Sequence, residues 1–120
     1  MLAVGGHVLG HLDPRMARMP TAFAGGVGDT GKEMCGALSG ALMIIGALYG
    51  RTGLDQDDKK ALLLARRYRE SFAEEMGDTR CAPVYERQHG PQGAGSCAAV
   101  VERAARVLLD LLDSPLGDDE

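Results

Sequence analysis

The chain carries 120 residues, with 13 basic against 17 acidic side chains for a formal charge of −4, three cysteines, and few aromatics: no Trp, two Phe and three Tyr. That length holds one domain with a single core, and scattered basic side chains under a net negative charge exclude a nucleic-acid-binding patch. An odd number of cysteines without CxxC spacing excludes a disulfide framework, and the opening lacks the charged-then-apolar pattern of a secretory signal, so a cytoplasmic protein is expected.

Residues 1–12 are apolar, contain glycine and begin without a cap residue, so they read as the tail of a helix. Asp13 and Pro14 supply an N-cap and a first-turn proline for a second short helix to about Ala24, which Pro20 kinks or splits. Glycines 25, 26, 28 and 31 come next. From about Lys32 to Tyr49 the sequence is apolar nearly all round, as befits a helix at the centre of a bundle. Its apolar run, Cys35 to Tyr49, falls short of the roughly 20 residues a membrane span needs. Gly36 with Gly40, and Gly46 with Gly50, lie one turn apart, where another helix can approach closely.

Asp55 is placed to cap the next helix, with Ala61, Leu64 or Ala65, Tyr68, Phe72 and Met76 as its buried stripe and Gly77 as its end. Residues 78–95, holding Pro83, Pro91 and glycines 90, 93 and 95, read as one long irregular loop. Ser96 caps a last helix that turns Val100, Val101, Ala104, Ala105, Leu108, Leu111 and Leu112 inward and Arg103 and Arg106 outward, before Pro115 stops it. Scarce aromatics and abundant Ala, Leu and Gly favour close-packed helices over strands. The expected fold is therefore all-α, a small bundle of four to five helices with a Gly-rich buried central helix. Residues 1–113 form one helical domain and residues 114–120 an acidic flexible tail.

Cys35 falls in the first turn of the central helix, Cys97 directly follows Ser96, and Cys81 lies just past the helix that Gly77 ends. An antiparallel return from the central helix brings Cys81 back toward Cys35, and the last helix can start at the same end, so the three thiols are expected to face one small volume. Helix N-termini favour an anion. Cys35 and Cys97 are accordingly expected to have lowered pKa values and to alkylate readily, Cys35 first. The competing reading at each position is an inert cysteine placed for packing.

The hexapeptide Cys35-Gly36-Ala37-Leu38-Ser39-Gly40 matches the motif CGAxxG. Together with Cys81 and Cys97, the latter opening the last helix, it makes the chain resemble the C_GCAxxG_C_C family of small redox-active proteins over most of its length. Of the four cysteines in the family pattern, Cys35, Cys81 and Cys97 match the last three; the first has no counterpart, and its place falls just upstream of Met1. The resemblance implies redox or metal-cluster chemistry at these three cysteines. Thiolates would hold an iron–sulfur cluster or zinc, with His89, water or a neighbouring subunit as a further ligand, or would cycle between dithiol and disulfide. Electron transfer to an unidentified redox partner is the simplest use.

Weaker signals remain. Residues Gly26 to Lys32 match the GxxxxGK phosphate loop, but Glu33 stands where Ser or Thr would ligate magnesium and no strand precedes it, so a Gly-rich turn is the better reading. His7 and His11 share a face at helical spacing, with nothing nearby to complete a site. His89 lies in the cysteine loop as a candidate ligand, a solvated loop position being the alternative. A different function class competes with redox chemistry: a non-catalytic helical module that pairs through small-residue faces as a homodimer and whose cysteines are vestigial. Both readings carry the expectation of a homo-oligomer.

Overall fold

The computed structural model describes residues 1–90 and 97–114. Among these, the elements are α1 (Leu2–Leu9), α2 (Pro14–Arg18), a 3-10 turn (Met19–Phe23), α3 (Gly36–Tyr49), α4 (Lys59–Met76), α5 (Cys81–His89) and α6 (Cys97–Asp113), with no strand. The fold is all-α. No helix among the described residues is long and apolar enough to cross a membrane.

The element count exceeds four to five because the expected loop over residues 78–95 contains α5. Pro83 marks that segment as irregular by sequence, yet it occupies the first turn of α5, where a missing N–H leaves no intrahelical bond unmade. The expected cap of α6, Ser96, the rest of that loop from residue 91, and residues 115–120 lie outside the described residues. Earlier in the chain Asp13 caps α2 by accepting from Met16 N–H at 2.9 Å, and Pro20 lies in the first turn of the 3-10 segment that succeeds it.

Two helix starts differ from the sequence expectation for identifiable reasons. The central helix α3 begins at Gly36 rather than near Lys32, because Met34 forms an antiparallel bridge with Arg80 and keeps the backbone extended through Cys35. Helix α4 begins at Lys59, with Asp58 rather than Asp55 at the cap position; the neighbouring Asp57 carboxylate accepts from Lys59 N–H at 2.9 Å. Its end is as expected, at Gly77 in the left-handed conformation.

Helix α3 is the hub, packing on α1, the 3-10 turn, α4 and α6. Leu38, Ala41 and Ile45 of α3 meet Leu64, Tyr68, Phe72 and Met76 of α4 and Val100, Ala104 and Leu108 of α6 in one core. Tyr68 is fully buried, and its hydroxyl donates to Ala104 O at 2.8 Å. Val101, expected inward, is instead 38% exposed. The α4–α6 contacts fix direction: Arg103, near the start of α6, pairs with Glu75 at the end of α4 at 2.9 Å, while Leu111 and Leu64 share a cleft toward the opposite ends. These two helices are antiparallel. Because the Met34–Arg80 bridge returns α4 to the start of α3, α3 and α6 begin at the same end of the bundle. Among the described residues nothing packs on Gly46, where a side chain would meet open space.

Candidate thiol site

The bridge that delays α3 also assembles the site. Cys35 N–H donates to Thr79 O and Cys81 N–H to Glu33 O, both at 2.8 Å, so the strand-like pairing of residues 33–35 with 79–81 carries one cysteine out on each side. Cys35 then takes the N-cap position of α3, not its first turn, and Cys81 is the first residue of α5, not a loop residue. Cys97 is the first residue of α6. Three helix starts thus present the three thiols at one end of the bundle.

The glycine turn forms the floor beneath Cys81. Residues 25–31 combine left-handed glycines at 25, 26, 28 and 31 with left-handed Val27 and Asp29. Val27 is a β-branched residue in a conformation such residues rarely adopt, and it is held there by a dense set of local bonds. Gly26 lets this turn approach Cys81 so closely that an added Cβ would sit 2.5 Å from the Cys81 Cβ. Thr30 Oγ1 donates to Gly26 O at 2.7 Å, and Ala82 N–H reaches Gly31 O at 3.0 Å.

This bonding also disposes of a phosphate site. The N–H groups of residues 27–31 and 33 all donate to carbonyls within residues 22–27, and Lys32 N–H donates to Thr30 Oγ1. A phosphate loop works by aiming free N–H groups at its anion, and here those donors are already committed.

The thiols feel one another. Burial pushes the Cys35 thiol above its ordinary pKa, against the pull of the Ala37 and Leu38 amides, and charge at Cys97 adds to the rise. Cys81 is also raised, by burial first and then by charge at Cys35, Cys97 and Asp29. The expectation of a lowered pKa at Cys35 is therefore overturned, because desolvation of the thiolate outweighs the helix N-terminus. Cys35 and Cys81 are half-buried, and Cys97 is exposed.

The histidines do not join them. His89 closes the nine-residue α5, about 12 Å of axial rise from Cys81. Its ring stacks on Tyr85, with Nδ1 at 3.0 Å from Tyr85 O. His7 and His11 do not share a helix face, because α1 ends at Leu9 and Gly10 turns left-handed. Among the described residues, no three His, Cys, Asp or Glu side chains stand close enough together to hold a metal ion.

The family profile described as "Putative redox-active protein (C_GCAxxG_C_C)" matches residues 1–111. The chain belongs to this family. No curated protein and no solved structure matches it. The family description supports a redox-active role in general terms. For a C_GCAxxG_C_C protein the geometry adds that the motif cysteine Cys35 and the later Cys81 are held by one two-stranded pairing.

Sequence reasoning missed the parts that set this pairing. Asp78 Oδ1 accepts from Thr79 N–H at 2.7 Å and from Arg80 N–H at 2.9 Å, and Arg80 closes a salt bridge to Asp78 Oδ2 at 2.8 Å. An Asp placed shortly before a helix was the available signal, since such residues bond to the backbone just ahead of them. The approach of Gly26 to Cys81 and the roles of the Glu33 and Thr79 carbonyls gave no signal, because they exist only across the fold.

Proposed function

We propose that this chain is a redox-active thiol protein in which Cys35, Cys81 and Cys97 act as one site. The observation that carries the reading is the placement of all three on helix starts at one end of the bundle, near enough for each half-buried thiol to sense charge on another. Free thiols of this kind persist in a reducing compartment such as the cytoplasm.

Of the chemistries open to three thiols, we favour a thiolate site for an iron–sulfur cluster or zinc. Burial first, and then negative charge at Cys97 for Cys35 and at Cys35, Cys97 and Asp29 for Cys81, hold these thiols protonated, and a bound cation would offset that cost and favour the thiolates. Direct pairing of Cys35 with Cys81 is disfavoured by register. Cys35 lies opposite Thr79 and Cys81 opposite Glu33, a diagonal relation of about 7–8 Å between Cα atoms in a sheet ladder, and disulfides rarely span more than about 7 Å. The donor chemistry fits a soft cation, but the described residues do not gather three donors within its reach, so binding has to draw the side chains together. A further donor would come from water or a second chain, since His89 stands away from Cys81. When bound, an iron–sulfur cluster supplies one-electron transfer, whereas zinc supplies structure.

The test is anaerobic purification, then metal and sulfide analysis, absorption spectroscopy and a thiol count before and after mild oxidation. Bound metal that is lost in a Cys35→Ser, Cys81→Ser or Cys97→Ser variant is the expected result. Absence of metal with loss of two thiols on oxidation would replace the cluster by a dithiol–disulfide couple. Three thiols unchanged by oxidant, without metal, would overturn the redox reading.

A further inference from the structure

On the flank of α3 away from α4 lies a groove of about 540 Å3, walled by α1, by α2 with the 3-10 turn, and by Val101 of α6. Its floor is built from Gly36, Ala37 and Gly40, the small residues of the hexapeptide that Cys35 begins. Larger residues there would fill the space: a Cβ on Gly40 would already lie 3.2 Å from the Met1 side chain, and one on Gly36 3.6 Å from the Ala24 backbone. The motif thus has a consequence separate from its cysteine, because it leaves a hollow in the middle of the most apolar helix.

The walls say what that hollow can hold. Four of the six methionines of the chain, Met1, Met16, Met19 and Met43, line it. Unbranched thioether side chains reshape around varied apolar partners. Among the described residues, Thr21 is the one polar side chain in the lining, and no charged side chain contributes. An ionised group placed inside would be desolvated without a side-chain partner. The volume lies within the roughly 300–1,000 Å3 of small-molecule sites, and walls on several elements make it a concave site rather than a flat apolar face.

We propose that this groove is a binding site for an uncharged, apolar small molecule. The proposal does not depend on the redox reading, since no cysteine lines the groove.

Titration of the full chain with N-phenyl-1-naphthylamine, an uncharged dye that brightens in apolar surroundings, tests it. Saturable binding of one dye per chain is expected, with displacement by 1-decanol at a concentration at least tenfold below that required of decanoate at neutral pH. Ala47→Phe, at an exposed lining position outside the core, should weaken the dye at least tenfold while helicity by circular dichroism stays unchanged. Gly40→Leu should do the same by filling the floor. Leu62→Ser, on the exposed face of α4 away from the groove, should leave binding as it is. A variant with all three cysteines changed to serine should still bind, which separates this site from the thiol chemistry. The proposal is overturned by an absence of saturable binding, by unchanged affinity in Ala47→Phe, by decanoate binding as tightly as decanol, or by one dye per two chains in a dimer sealed across the groove.

Discussion

The backbone N–H of Cys35 donates to the carbonyl of Thr79 at 2.8 Å. Thr79 is itself positioned by Asp78, which caps the next two N–H groups and pairs with Arg80. The hydrogen-bonded Arg80 side chain holds the Asp78 carboxyl far below the usual carboxylate range. A depressed folded-state pKa contributes stability above the unfolded value of about 3.9, and that contribution is lost as pH falls further. Asp78→Ala should therefore lower the melting temperature at pH 7, with the gap to the parent narrowing below about pH 4. A gap that is constant with pH in thermal melts would remove this ion pair from the scaffold of the site.

Gly26 and Gly28 make a controlled comparison. Both have positive φ, but a Cβ on Gly28 would meet nothing within 4 Å, whereas one on Gly26 would collide with Cys81. Gly28→Ala should cost only left-handed strain, roughly 1–2 kcal/mol. Gly26→Ala should cost more than this in urea unfolding and should also change the alkylation rate of Cys81. Equal losses, with Cys81 unaffected, would show that the turn does not support the thiol.

Thiol reactivity should track burial rather than helix position. With iodoacetamide at pH 7, exposed Cys97 should react first and half-buried Cys35 later, and denaturant should erase the difference; mass spectrometry of the labelled peptides reads the order. Because the Cys35 pKa is raised by burial, the folded state holds that proton more firmly than the unfolded chain does. Its contribution to stability is present below the unfolded thiol value of about 8.5 and declines as pH rises toward the folded value. Cys35→Ala should consequently flatten the loss of stability above about pH 8.5.

Gln88 is 5% exposed, and its Nε2 finds no hydrogen-bond partner among the described residues. A buried donor left unpaired forfeits roughly 1–3 kcal/mol of solvation. Gln88→Met, of similar length and without the donor, should be neutral or stabilising in chemical denaturation. Destabilisation by more than about 1 kcal/mol would mean that the amide is engaged in the folded protein.

The helical class, the α3 core helix, the α4 stripe of Leu64, Tyr68, Phe72 and Met76, the caps at Asp13 and Gly77, and the family motif were all legible in the order of the residues. They are legible because periodicity, capping and motif spacing are local, and each is decided within a few residues of itself. The starting point of α3, the place of Pro83 inside a helix, and the acidity that Cys35 loses despite its helix start came from the folded chain. Each of those outcomes depends on residues distant in the chain: Arg80 holds Met34 extended, Cys81 rests on Gly26, and packing around Cys35 strips water from its sulfur. Desolvation and cross-chain pairing are properties of the assembled interior, and neither is written in the spacing of the residues that experience them.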